Sequence, residues 1–417
     1  MRPQLQLQHA YARWFVGDDD PAELVSARDA FLAQGDDASA AEAAALLALV
    51  LWHRGDGQGS HAAGAQALAL AEQLPVSVST TRAFAQEARS SCLQGDVERA
   101  LELGRRTLAM AAELGRDDLG AQALNTIGMA RVVGGDAGGI EDLERSADLA
   151  EKSNALDAIG SARNNLANNL WQVGRVEDGA AQIAAARESV SRFGFTPWLT
   201  WNDGEQVCVA DLRGDFDGVV AAMDRFFANE GADERYQSAA MWMFYARVLL
   251  ARGRVDEAVA ESQRALGRAR TGGGDPQQLG PALVVAARAL FAAGRDDESE
   301  PLVAEVLSDK RLLMEHWTYD LPLFLAERGR GDGYLAATEN RPGHLWQRAG
   351  RAACAGDFAA AGELYSEIGA QYAEAWARLL AAEHGQDVDL APAHAYFERV
   401  GAAPYVRRCE ALLPASA

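Results

Sequence analysis

A glycine followed by aspartate or arginine returns along this chain at nearly constant spacing: Gly55, Gly95, Gly135, Gly174, Gly214, Gly253, Gly294 and Gly356. The steps between neighbours are 40, 40, 39, 40, 39, 41 and 62 residues. A period of that length is the mark of one supersecondary unit repeated in tandem, in which each unit buries its apolar faces only against its neighbours.

Residues at fixed offsets from each glycine keep the same register. Seven before it stand Ala48, Ala88, Gly128, Ala167, Val207, Ala246, Ala287 and Ala349. Five after it stand Ser60, Ala100, Ile140, Gly179, Val219, Ala258, Ser299 and Ala361. Mostly small side chains at both places let two helices approach closely. Each repeat therefore reads as helix, turn, helix. The glycine supplies the left-handed residue that ends the first helix, and the following Asp is placed to cap the second.

In this pattern the chain resembles the tetratricopeptide family over nearly its whole length, in a long-repeat form. The resemblance implies an all-α fold, a right-handed superhelical solenoid of antiparallel helix pairs. We expect the array to fill residues 1–311, opening on a helix pair at residues 3–34. Residues 312–417 read as an irregular continuation with capping helices. There the 62-residue step holds a further helix and a short partner before Pro342, and residues 393–413 read as two closing helices.

A narrower resemblance rests on "ALNTIGMARVVGGDAGGIEDLERSADLA" (123–150), on "NNLANNLWQVG" and on the terminal "YFERVGAAPYVRRCEALLPASA". These segments are similar to the C-terminal helical region of large bacterial signalling ATPases. Such proteins join a nucleotide-cyclase or DNA-binding domain to an NTPase module and a tetratricopeptide array. The resemblance implies a regulatory role beside a cyclase, ATPase or transcription-regulator module, absent here or encoded separately.

Chemistry is hard to find. Basic residues number 39 against 60 acidic, a net charge of −21. So acidic a chain repels phosphate backbones and anionic membrane surfaces. A phosphate-binding loop needs a lysine after its glycines, and the lysines Lys152 and Lys310 sit in "EKS" and "DKR". No HExxH, GxSxG or CxxC occurs. His53 and His61 straddle a turn, and "GDDDPAE" (17–23) reads as an acidic loop that caps a helix. Cys92, Cys208, Cys354 and Cys409 read as free thiols of a cytoplasmic protein. The sequence thus points to no catalytic residue, metal or cofactor, and to a non-enzymatic binding scaffold.

One stretch stands out. "SARNNLANNLWQVGR" (161–175) places Asn164, Asn165, Asn168 and Asn169 in one helix, although asparagine is a mediocre helix former. In tetratricopeptide arrays the first helix of each pair lines the concave face. Asn164 and Asn168 lie ten and six before Gly174, on one stripe. The same offsets hold Ala85 and Arg89, Asn125 and Met129, Gly204 and Cys208, Met243 and Arg247, Val284 and Arg288. Amides there can hold a peptide backbone by donating and accepting, and arginines can grip acidic groups. Trp52, Trp171 and Phe291, three before their glycines, would add apolar anchors. The expected groove is therefore Asn125, Asn164, Asn168, Trp171, Arg89, Arg247, Arg288, Trp52 and Phe291, filled by a protein or peptide. An alternative is a sensor in which the three arginines hold a small anionic ligand. Asn165 and Asn169 fall off the stripe and read as bridges between helices. Trp198, Trp201 and Trp242 read as packing residues.

Overall fold

The computed structural model describes residues 2–413 apart from Asp19, Glu230 and Pro342. Three features read from the sequence touch the remainder: Asp19 of the acidic loop and Pro342 lie outside the described residues, as do residues 414–417 of the terminal segment.

The regular elements of the described residues are all α-helices apart from two 3-10 turns. It begins with α1 (Pro3–Val16) and α2 (Pro21–Ala33). The periodic part follows as α3 (Asp37–His53) and α4 (Gly57–Ala71), α5 (Val78–Leu93) and α6 (Val97–Leu114), α7 (Asp117–Val133) and α8 (Gly139–Lys152). It continues with α9 (Leu156–Gln172) and α10 (Val176–Ser191), α11 (Thr196–Leu212) and α12 (Phe216–Phe227). Then come α13 (Ser238–Ala251) and α14 (Val255–Thr271), α15 (Pro276–Ala292) and α16 (Asp296–Ser308). The long step holds α17 (Asp320–Glu327) and α18 (Gly331–Ala337). The chain closes with α19 (Leu345–Cys354), α20 (Phe358–Ile368), α21 (Gln371–Glu383), α22 (Ala391–Arg399) and α23 (Ala403–Leu412). Successive helices pair antiparallel, in tetratricopeptide-like fashion.

The turns explain the period. All eight register glycines have φ between +69° and +90°, a region that costs other L-residues roughly 1–2 kcal/mol. Where aspartate follows, its carboxylate caps the next helix, except at Asp136, which accepts from Gly138 N–H ahead of α8 and pairs with Arg131. Asp56 accepts from Gly59 N–H (2.8 Å), Asp96 from Arg99 N–H (3.1 Å) and Asp357 from Ala360 N–H (3.1 Å). Where arginine follows, the acid moves three residues on and pairs with it, as in Arg254–Glu257 and Arg295–Glu298. A second set of left-handed residues falls 17 to 21 positions after the register glycines: Gly115, Asn154, Gly194, Gly231 and Gly274. These make the turns between repeats. Asn154 is the only non-glycine with positive φ among the described residues.

Small residues do what their spacing suggests. Ala48, Ala88, Ala167, Ala246, Ala287 and Ala349 are buried. At Gly128 a Cβ would stand 2.7 Å from the Gly139 carbonyl, so only glycine lets α7 and α8 come so close. Ser60 and Ser299 donate to the carbonyls of Ala48 and Ala287, both at 2.8 Å. That one bond joins the two register positions of a repeat.

The chain divides into two compact units. The first comprises residues 1–169, 179–202 and 233–236; the second comprises 170–178, 203–232 and 237–417. In the first, α5 touches both α3 and α7, and each also touches its even-numbered partner; in the second, α13 and α15 do the same. Odd-numbered helices thus share a face in each unit.

Candidate functional site

The first unit holds a cavity of about 320 Å³ whose lining comes from odd-numbered helices and from Ala155, just before α9. Tyr11 comes from α1, Leu46, Leu49 and His53 from α3, and Arg82, Gln86 and Arg89 from α5. Asp118, Gln122 and Asn125 come from α7, Asp157, Ser161, Asn164 and Asn165 from α9, and Trp198 and Trp201 from α11. Counted from each repeat's glycine, most of these fall 17, 13, 10, 9 or 6 positions before it. That is one helical stripe carried from repeat to repeat.

The polar lining is largely spoken for by its neighbours. Arg82 pairs with Glu42, which also accepts from Tyr11 Oη (3.3 Å) and Ser79 Oγ (2.5 Å). Burial pushes the Tyr11 phenol up, so it stays protonated and donates. Asp118 is held by Arg116 through bonds of 2.8 and 2.6 Å. Burial works against its charge, but the Arg116 guanidinium outweighs that and keeps the carboxyl low. His53 is packed edge-on by Trp14 and Trp198 (4.7 and 5.9 Å), with Trp201 tilted at 5.0 Å. Burial, with Arg89 and Arg235 nearby, holds its imidazole well below the ordinary value, so it is neutral. Arg89 stands 5.0 Å over the Trp52 ring, which stacks on Tyr236 at 4.4 Å.

The amides are less completely matched. Asn165 Nδ2 donates to Asn125 Oδ1 (3.3 Å), bridging α9 and α7. Asn164 Oδ1 and Gln86 Nε2 are buried and have no hydrogen-bond partner among the described residues. An unmatched buried polar atom costs roughly 1–3 kcal/mol, so these two amides are hydrogen-bonding capacity that the fold itself leaves unused.

Asn125, Asn164 and Arg89 therefore meet at this cavity, and the other expected groove residues lie elsewhere. Asn168 is half-buried and its amide donates back to the Asn164 carbonyl (3.1 Å), a bond within its own helix. Asn169 does the same to Asn165 (2.7 Å). Trp52 lies under Arg89 rather than in the lining.

In the second unit, Trp171 is fully buried, donates to the Val176 carbonyl (3.1 Å) and meets Trp317 edge-on at 6.1 Å. Arg247 is fully buried between Asp211 and Asp320 and donates to the Trp317 carbonyl (2.9 Å). Arg288 pairs with Asp320, donates to Tyr372 Oη (3.2 Å) and lies 4.7 Å over Trp376. Phe291 is half-buried under Phe324 and the Arg328 guanidinium, 3.7 Å away. The physical reason is the insert in the 62-residue step. Residues 312–320 are buried apart from half-buried Met314. They supply the Trp317 ring and carbonyl, Tyr319 and Asp320 to the face that Arg247 and Arg288 present. The chain fills that face with itself.

Sequence reasoning missed Asp157, Tyr11 and Gln86, and it took Trp198 and Trp201 as packing residues. Reading offsets of 17, 13 and 9 beside 10 and 6 would have found Asp157, Trp201 and Gln86. Tyr11 lies six before Gly17, a left-handed glycine followed by aspartate that stands ahead of the periodic series. Trp242 stacks on Phe227 at 5.6 Å beneath Arg264, as packing. His61 bonds Ser90 (2.8 Å), and among the described residues no group of three His, Cys, Asp or Glu is placed to hold a metal. No described helix is long and apolar enough to cross a membrane.

No protein-family profile matches the chain, and no curated protein matches it. Among solved structures, it is similar to the Rap conjugation gene regulator of plasmid pLS20, determined in complex with the Phr* peptide. That match has 12% identity and a TM-score of 0.44, over 95% of this chain and 98% of that one. It is also similar to the TPR domain of P58(IPK), with 12% identity and a TM-score of 0.23, over 80% of this chain and 98% of that one.

Proposed function

We propose that this chain is a non-enzymatic, regulatory binding protein that captures a short peptide or protein segment in the cavity of its first unit. One observation carries the reading. Six consecutive odd-numbered helices turn side chains toward one cavity, and two of its buried amides carry an atom with no partner among the described residues. A peptide unit brings both an acceptor for Gln86 Nε2 and a donor for Asn164 Oδ1. The cavity volume lies at the lower end of the range for sites that enclose a small ligand, so it suits a few residues of a partner. The likeness of residues 123–150 to signalling ATPases supports a place beside a cyclase, ATPase or transcription-regulator module in the cytoplasm.

Gln86→Ala with Asn164→Ala tests this. Pools of short peptides with acetylated and amidated ends are titrated into the full chain by calorimetry. Each lost amide bond is worth about 1 kcal/mol, so the double variant should bind the best pool about 30-fold more weakly. Its far-UV spectrum should be unchanged. Equal binding by the variant and the parent would remove these amides from the site.

A further inference from the structure

We infer that the cavity of the first unit selects a ligand bearing a cationic nitrogen, an ammonium or guanidinium group, and that Asp157 recognises it. The inference rests on the binding role proposed above and names the chemistry that role requires.

Charge bookkeeping around the cavity leads to Asp157. Arg82 is matched by Glu42, and Asp118 by Arg116. Arg89 lies over Trp52. Asp157 receives one hydrogen bond, from Trp198 Nε1 at 2.9 Å, and among the described residues no basic side chain forms an ion pair with it. Arg89 and Arg82 act on it only through space. It lines the cavity beside Tyr11, Trp198 and Trp201. A carboxylate that lines a cavity and has no ion pair of its own is an arrangement that recognises cations.

Helix chemistry explains part of this position and no more. Asp157 lies in the first turn of α9, where the macrodipole favours a negative charge. That accounts for an acid there. It does not require the carboxylate to face a cavity or to be oriented by an indole from α11. Burial also pushes the Asp157 carboxyl above its ordinary range, against the pull of the Trp198 bond. Asp157 thus has one hydrogen bond and no ion pair among the described residues, and a cationic ligand group supplies the missing partner.

The test uses the full chain and calorimetry with three probes. The first is acetylated, amidated tripeptide pools with arginine at the centre; the second is the same pools with citrulline, which keeps the shape and loses the charge. The third is agmatine, which carries the same guanidinium and an amine but has no peptide group. The arginine pools should bind about tenfold more tightly than the citrulline pools, and Asp157→Asn should erase that ratio by weakening the arginine pools the more. The arginine-to-citrulline comparison needs no variant, so it stands even if Asp157→Asn folds poorly. Equal binding of both pools overturns the cation inference and leaves the peptide site standing. Binding of agmatine without either pool keeps the cation subsite and removes the peptide reading. No binding by any probe overturns both.

Discussion

Arg247 offers a sharp test, because its offset matches that of Arg89 while its surroundings are opposite. Arg247, Asp211 and Asp320 all have fully buried side chains. Arg247→Ala strands Asp211 and leaves Asp320 with Arg288 alone. Removing one partner of a buried ion pair costs about 3–5 kcal/mol. Since Asp320 keeps one guanidinium, about 3 kcal/mol is expected. With a urea slope of about 1–3 kcal/mol per M, the transition that unfolds the second unit should fall by about 1 M or more. Tryptophan fluorescence reports it, since Trp171, Trp317, Trp346 and Trp376 lie in that unit.

The same network sets a pH dependence. Burial works to raise Asp320, but Arg247 and Arg288 outweigh it and hold the carboxyl below its ordinary range. Its ionised form therefore stabilises the fold above the unfolded carboxylate pKa, about 4, and this is lost as pH falls through the lower folded value. Asp211 is shifted the other way, since burial raises it beyond the pull of Arg247. Its contribution is present below the unfolded pKa and lost as pH rises through the folded one. Arg247→Ala should thus move acid unfolding of the second unit to higher pH. A urea shift under about 0.3 M, with peptide binding lost instead, would refute the structural assignment and return Arg247 to a ligand site.

Further predictions concern the turns, caps and thiols. Gly294→Ala meets no neighbour within 4 Å but sits at φ +72°, so it should destabilise by about 1 kcal/mol. Gly267→Ala, inside α14 with equally open space, should stabilise by about 0.5–1 kcal/mol; thermal midpoints moving the same way would contradict the register. Asp96→Ala should cost about 1 kcal/mol by uncapping α6, read from the same melts. Burial pushes the Cys92 and Cys354 thiols up to about 12 and Cys409 to about 11. A thiol-exchange reagent at neutral pH should label these slowly in the native protein and rapidly in urea; rapid native labelling would show them exposed.

How much was legible from residues alone depended on what repeats. Glycine turns, small interface residues and capping aspartates recur, because each repeat must solve the same packing problem. Their register therefore located the helix pairs, and it pointed to Asn125, Asn164 and Arg89, which share a cavity. The offset rule treats every repeat alike, and there it reached its limit. Arg247 and Arg288 obey the rule, yet residues 312–320 cover their face. Nothing local to α13 or α15 announces that a segment some 30 to 70 residues away will pack there. Only the broken 62-residue step hinted at it. Asp157 was hidden for a different reason: an acid at the start of a helix is commonplace, and its meaning lies in Trp198, 41 residues on.

The central claim, that the odd-helix face of the first unit is the binding surface, is tested most directly by site-specific photo-crosslinking. A crosslinker is placed at Ala85, which lines the cavity, and separately at Ala112, which is exposed on α6. Each protein is irradiated with the tightest-binding blocked tripeptide pool, and the adducts are mapped by mass spectrometry. Adducts at position 85, competed by unlabelled peptide, with none at 112, are predicted. Adducts at 112 and none at 85 would contradict the account.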